Sequence, residues 1–152
     1  MNKLGFVYVT YIATTPEKLW EALTSGDFTL LYYWSGRRVQ SVWMPGSPVR
    51  HTKEDGSLDW QGEVLQADPP KLLSYTFDVA MGGEGRRERP SRVTFEIIPF
   101  MGHVKLTLTH GGFEPGSKVL PGISRGWPAI LSSLKSLLEG GKALFPLLTN
   151  CR

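Results

Sequence analysis

The sequence predicts an α+β fold in which one long C-terminal helix lies across a bent antiparallel sheet. Two patterns predict it. Trp127, Ile130, Leu131, Leu134, Leu137 and Leu138 recur at i, i+3, i+4, i+7, i+10 and i+11, one apolar stripe of helical period. Ahead of that stripe, segment after segment alternates apolar and polar residues with period two, each bounded by turn residues. A lone long helix must bury its stripe on something, and the sheet is the available partner. Hairpin-length connections make that sheet antiparallel. A helix across a curved sheet can enclose a cavity.

Residues 5–12, β-branched and aromatic, read as the first strand. A short helix opens at residues 14–17 with two rival N-caps: Thr14 in a capping box with Glu17, or Thr15 directly before Pro16. Leu19, Trp20 and Leu23 form its apolar face, and Gly26 ends it. Asp27 to Tyr33 makes a second short helix, closed by Trp34 and Gly36. In residues 39–44, Val39, Ser41 and Trp43 alternate with Gln40, Val42 and Met44. Residues 48–53 form a weak strand, demoted by Pro48. Asp55-Gly56 is a hairpin signal, followed by a strand over 58–66 with Trp60 and Val64 on one face. Asp68-Pro69-Pro70 breaks the chain. Tyr75, Phe77 and Val79 share a face of the next strand, and Gly82 to Pro90 is a loop. Val93, Phe95 and Ile97 share a face, as do Val104, Leu106, Leu108 and His110 after a turn at Pro99 to Gly102. A Gly/Pro-rich link from Gly111 to Gly122 leads to the helix, predicted over 126–139, with Pro128 in its first turn and Gly140-Gly141 at its end. Without repeats or an internal boundary, residues 1–152 read as one domain, with a core over about 5–140 and a tail from 141 to 152.

Composition narrows the function classes. The 152 residues are 41% hydrophobic and 20% charged with net charge +3, an ordinary globular balance. The one dense basic cluster, Arg86-Arg87-Glu88-Arg89 with Arg92, sits among glycines as a solvated loop, so no nucleic-acid partner is expected. A single cysteine, Cys151, rules out a disulfide framework. No signal-like start and no apolar run of the roughly 18–20 residues needed to span a bilayer occurs. A cytoplasmic protein with no stable membrane insertion is the expectation.

The order of elements resembles the SRPBCC (START and Bet v 1-like) superfamily, within it the activator of Hsp90 ATPase homologue 1-like family. The stretches that carry the resemblance are Tyr11 to Leu23, Trp34, Asp55-Gly56, Gly62-Glu63-Val64, Pro69 to Thr76, Val93 to Ile97, Val104 to His110 and Gly126 to Glu139. The resemblance implies the helix-grip fold, a bent seven-stranded antiparallel sheet wrapped around the C-terminal helix with two short helices after the first strand. It implies a ligand pocket but no one activity, since relatives include lipid carriers, polyketide cyclases, plant ligand carriers and Hsp90 co-chaperone domains. The co-chaperones carry an additional chaperone-binding domain for which this chain has no room, which argues against Hsp90 activation.

Catalytic and cofactor motifs are weak. Gly122-Ile123-Ser124-Arg125-Gly126 matches the G-x-S-x-G nucleophile elbow, but no strand precedes it and no His or Asp follows it. His51, His103 and His110 lack metal-ligand spacing, and neither a P-loop nor a dinucleotide fingerprint occurs, so no metal or cofactor is expected. His110 shares the inward face of its strand. It is either satisfied by a backbone carbonyl or a polar anchor in the cavity. Trp34, Trp43, Trp60, Tyr75, Phe77, Phe95 and Trp127 converge between sheet and helix, where they either fill the space or line an apolar pocket. With His110, Leu108, Leu131 and Leu134 they form the expected ligand-binding set.

The reading that follows is a carrier or sensor for a hydrophobic, lipid-like or aromatic small molecule, with a homodimer compatible with it. The alternatives are a cyclase- or aromatase-like enzyme and a stress-response or chaperone-linked interaction protein. The candidate partners for His110 are Glu96 and Tyr75; Glu96, beside Phe95 and Ile97, points away, which leaves the enzyme reading without a complete acid–base pair. No catalytic residue is assigned.

Overall fold

The computed structural model describes residues 4–33, 36–79 and 88–144. Trp34, the Gly82–Arg87 part of the basic loop and Cys151 lie outside them. The order is β1 (Leu4–Ile12), α1 (Pro16–Thr24), α2 (Gly26–Tyr32), β2 (Arg38–Gln40), β3 (Pro48–Thr52), β4 (Leu58–Asp68), β5 (Leu72–Val79), β6 (Ser91–Phe100), β7 (His103–Phe113) and α3 (Val119–Gly140). The strands form one seven-stranded sheet in the order β1-β7-β6-β5-β4-β3-β2, antiparallel at every pairing. Chain-terminal β1 thus pairs with β7, and the remaining strands meander. This is the helix-grip architecture expected from the alternating segments and the final stripe.

The core follows strand parity. Val93, Phe95 and Ile97 of β6 and Val104, Leu106 and Leu108 of β7 are buried, as are Leu73, Tyr75 and Phe77 of β5. Trp127, Ile130, Leu131 and Leu134 of α3 close over them. Thr15, not Thr14, caps α1; its hydroxyl accepts from the Lys18 N–H at 3.1 Å. Close approach shapes the sheet at Gly62, where a Cβ would come within 1.7 Å of the Thr76 carbonyl oxygen. No larger residue fits there. The far end of α3 is tied to β1: Glu139 accepts from the Ala13 N–H at 2.8 Å, and Lys135 donates to the Tyr11 carbonyl at 2.7 Å.

Two elements differ from expectation. Residues 41–44 are not strand: β2 ends at Gln40, and Trp43 adopts a left-handed backbone with φ 57°. The Ser41 hydroxyl accepts from the Trp43 N–H, and the Trp43 indole donates to the Thr24 carbonyl at 2.9 Å. That carbonyl ends α1 without an intrahelical partner, so Trp43 serves as a C-terminal cap.

The long helix begins at Val119, seven residues before the predicted start, and takes in Pro128 and the whole G-x-S-x-G segment. Its start is fixed from a distance. The Glu88 carboxylate accepts from the Lys118 N–H and the Ser117 hydroxyl, both at 2.7 Å, and Ser117 in turn accepts from the Val119 and Leu120 N–H groups. A carboxylate at a helix N-terminus also complements the helix dipole. Ser124 donates back to the Leu120 carbonyl at 2.7 Å inside the helix, which occupies its hydroxyl hydrogen. We expect Glu88→Ala to cost about 1.5–3 kcal/mol, the range for hydrogen bonds to a charged group. Urea denaturation of wild type and variant measures it, and an unchanged midpoint would show that the carboxylate does not hold the helix start.

Candidate functional site

Aromatic rings fill most of the space between sheet and helix. His51, Trp60 and Tyr75, on adjacent strands, stack in near-parallel planes with centroids 4.7 and 5.3 Å apart. Phe77 tilts against Trp60 at 4.7 Å, and Trp127 meets Phe95 and Tyr33 edge-on at 5.8 and 6.0 Å. Such contacts add to the burial energy of the rings themselves. Two spaces remain. The inner one measures about 10 Å³, room for roughly one water-sized atom, and is lined by Leu23, Thr29, Tyr32, Tyr33, Val39, His51, Trp60, Tyr75, Phe95, Trp127, Ile130 and Leu131. The outer one is an open cleft of about 220 Å³ beside the first half of α3, lined by Tyr33, Arg37, Asp59, Trp60, Phe77, Val79, Gly122, Ile123, Gly126, Trp127 and Ile130. Tyr33, Trp60, Trp127 and Ile130 wall both.

Of the residues expected to bind a ligand, Trp60, Tyr75, Phe77, Phe95, Trp127 and Leu131 line one or both spaces. Leu108, Leu134, Trp43 and His110 line neither among the described residues. Leu108 and Leu134 are plain core.

His110 is fully buried and saturated. The Trp127 indole, which can only donate, gives its N–H to His110 Nδ1 at 2.9 Å. Nδ1 therefore carries a lone pair and Nε2 the hydrogen, which goes to the Ser91 hydroxyl at 2.8 Å. Ser91 passes its own hydrogen to the Phe77 carbonyl at 3.4 Å. Burial lowers the His110 pKa to about 3. Both ring nitrogens are thus satisfied by side chains and not by a backbone carbonyl, and no ring nitrogen is left over for a ligand.

A second buried histidine, in the lining of the inner space, carries polar chemistry that strand parity alone does not single out. His51 on β3 is 1% exposed, and its Nδ1 lies 3.2 Å from the Asp59 carboxylate. Arg37 pairs with the same carboxylate oxygen at 2.9 Å. The geometry arises from a β-bulge: His51 pairs with Trp60 and Thr52 with Leu58, so Asp59 is the extra residue on β4. A bulge re-aims its side chain, here toward β3. Burial raises the Asp59 pKa, but the His51 hydrogen bond and the Arg37 charge outweigh it and leave it below the ordinary carboxylate value. Burial lowers the His51 pKa more than Asp59 raises it. The neutral imidazole thus donates from Nδ1 to Asp59 and carries its lone pair on Nε2. Among the described residues, His51 Nε2 and Trp60 Nε1 are the buried side-chain atoms without a hydrogen-bond partner. Tyr33, whose pKa burial and the Asp59 charge push up, lies close enough for the Trp60 N–H to ease that rise, yet outside hydrogen-bond geometry. No cluster of metal-ligating side chains occurs among the described residues.

Two histidines held neutral by burial contribute to the loss of stability in acid. Below the unfolded value of about 6.5 the unfolded chain binds protons that the folded protein does not. Stability is therefore full above that pH and falls as pH drops toward the folded values. His110, with a folded value of about 3, contributes a slope approaching about 1.4 kcal/mol per pH unit, and His51 acts in the same direction. We expect His110→Phe to remove one such slope between pH 6 and 4.5, as read from urea midpoints. An unchanged slope would show that His110 is protonated in the folded protein.

The fold and this site can be set beside known proteins. A solved structure of a protein from Mesorhizobium loti is 28% identical with a TM-score of 0.76, the match covering 89% of this chain and 96% of that one. The solution structure of the Aha1 dimer from Colwellia psychrerythraea is 21% identical, TM-score 0.74, covering 92% and 99%. An HSP90 activator from Plasmodium falciparum is 22% identical, TM-score 0.71, covering 89% and 96%. The last two show likeness of fold alone. No curated protein matches the sequence. No described helix is long and apolar enough to cross a membrane. The family described as activator of Hsp90 ATPase homolog 1-like protein matches residues 13–139, and the chain belongs to that family.

Proposed function

We propose that the protein is a cytoplasmic carrier or sensor that holds a small aromatic or lipid-like molecule in the cleft between β4, β5 and the first half of α3. The observation that carries this reading is the open 220 Å³ cleft, apolar on the Trp60, Phe77, Val79, Ile123 and Trp127 side and polar at Arg37 and Asp59. Apolar side chains that give contact area beside polar groups that fix orientation are the usual elements of a small-molecule site. Its size points to a compact ligand. Drug-sized pockets run to about 300–1,000 Å³, and an apolar cavity of about 150 Å³ accepts benzene. The interior, packed with its own rings, leaves no room for a long chain.

A second reading, a chaperone-linked interaction module, is favoured by kinship and by the outer sheet face. There Val7, Val9 and Tyr11 of edge strand β1 and Ile98 and Phe100 of β6 are each more than 40% exposed. It needs no cleft, so blocking the cleft separates the two. Ile123 lines the cleft without sealing the inner space, and Ile123→Trp fills it. We expect neutral N-phenyl-1-naphthylamine to bind wild type and quench its tryptophan emission. We expect Ile123→Trp to weaken this at least about tenfold with little change in melting, as for a partly exposed position. An equal affinity for both proteins, or no binding to wild type, would remove the carrier reading.

A further inference from the structure

The inner space and its two unpartnered atoms say more about the ligand. His51 Nε2 presents a lone pair and Trp60 Nε1 presents a hydrogen; both rings are buried, lie face to face, and line the same small space. A buried donor and a buried acceptor left unpaired each destabilise the protein. A ligand hydroxyl satisfies both at once, because it donates and accepts through a single oxygen. The inner space admits about one such atom. The adjoining cleft, across the shared Tyr33, Trp60 and Trp127 walls, takes the hydrocarbon body. Arg37 and Asp59 at the rim neutralise one another, so nothing there calls for a charged ligand.

Resting on the carrier reading, we propose that the ligand is a neutral, hydroxyl-bearing aromatic of about two rings, its hydroxyl donating to His51 Nε2 and accepting from Trp60 Nε1. Asp59 acts as the positioning residue. By holding the hydrogen on Nδ1 it keeps Nε2 an acceptor, and Arg37 keeps Asp59 in place. A ligand lacking the hydroxyl leaves both buried atoms unpaired and therefore binds more weakly than its hydroxylated analogue.

The test is a binding panel on the wild-type protein, read by tryptophan quenching or calorimetry, with 2-naphthol, naphthalene, 2-methoxynaphthalene and 2-naphthoate. The expected result is that 2-naphthol binds at least about tenfold tighter than naphthalene, which is smaller, and than 2-methoxynaphthalene, which accepts but cannot donate. His51→Phe should bring the naphthol and naphthalene affinities to within about twofold of each other. Equal binding of naphthol and naphthalene by wild type would overturn the hydroxyl assignment and leave the carrier reading standing. Tightest binding of 2-naphthoate would overturn it in favour of an Arg37-anchored anion. Failure of every compound to bind would sink both readings. Should His51→Phe not fold, imidazole ¹⁵N spectra of the wild type decide: naphthol must move the His51 Nε2 resonance, and an unmoved resonance contradicts the proposal.

Discussion

The indole of Trp127 donating to His110 is the contact on which the rest of this structure depends. Burial drives α3 onto the sheet, but burial is non-directional and would tolerate a helix rotated or slid along its stripe. The hydrogen bond is not so tolerant. It fixes one point of α3 over β7, and the chain of bonds continues through Ser91 to the Phe77 carbonyl, spanning β7, β6 and β5. The same ring walls both remaining spaces. The position of the cleft is therefore a consequence of where Trp127 is held. At the other end Lys135 and Glu139 tie the helix to β1, and Glu88 caps its start. Three polar anchors locate one apolar stripe.

The two buried histidines illustrate how environment divides identical side chains between jobs. His110 receives a hydrogen on Nδ1 and gives one from Nε2, so every polar site is used and the ring is structural. His51 gives its hydrogen from Nδ1 to Asp59 and has nothing on Nε2. Both are neutral near pH 7 because burial penalises the cation. A saturated histidine specifies a core, while an unsaturated one facing a space is an invitation to a ligand. The His–carboxylate pair that an acid–base reading would need is present, though its partners are His51 and Asp59 and not His110 and Glu96.

Regular period was legible in the sequence; long-range contact was not. Alternation through Tyr75, Phe77, Val93, Phe95, Leu106 and Leu108 gave the inner face correctly, because one side of each strand is buried. The helix stripe gave the packing face of α3. Its start was missed because the cap is a carboxylate about 30 residues upstream, which no local window contains. Trp43 alternates as a strand residue would, yet leaves the sheet to cap α1. His51 was readable in principle, since it shares parity with buried Val49 while Arg50 points outward. Pro48 drew attention away from that strand. Asp59 was not readable: its parity is opposite to Trp60, and only the bulge turns its carboxylate toward His51. The enclosed space proved filled by aromatics in its interior and open at its mouth, a division that depends on side-chain packing and not on pattern.

The two histidines are fixed as opposite neutral tautomers, one with both ring nitrogens bonded in the core and one with Nε2 unpaired. Imidazole ¹⁵N spectroscopy of the ligand-free protein across pH 7 to 4 tests it most directly. The expected spectra show an Nε2–H tautomer for His110 that does not titrate above pH 4, and an Nδ1–H tautomer for His51 with a titration midpoint below 6.5. Finding the same tautomer in both rings, or either ring titrating at its ordinary value, would contradict it.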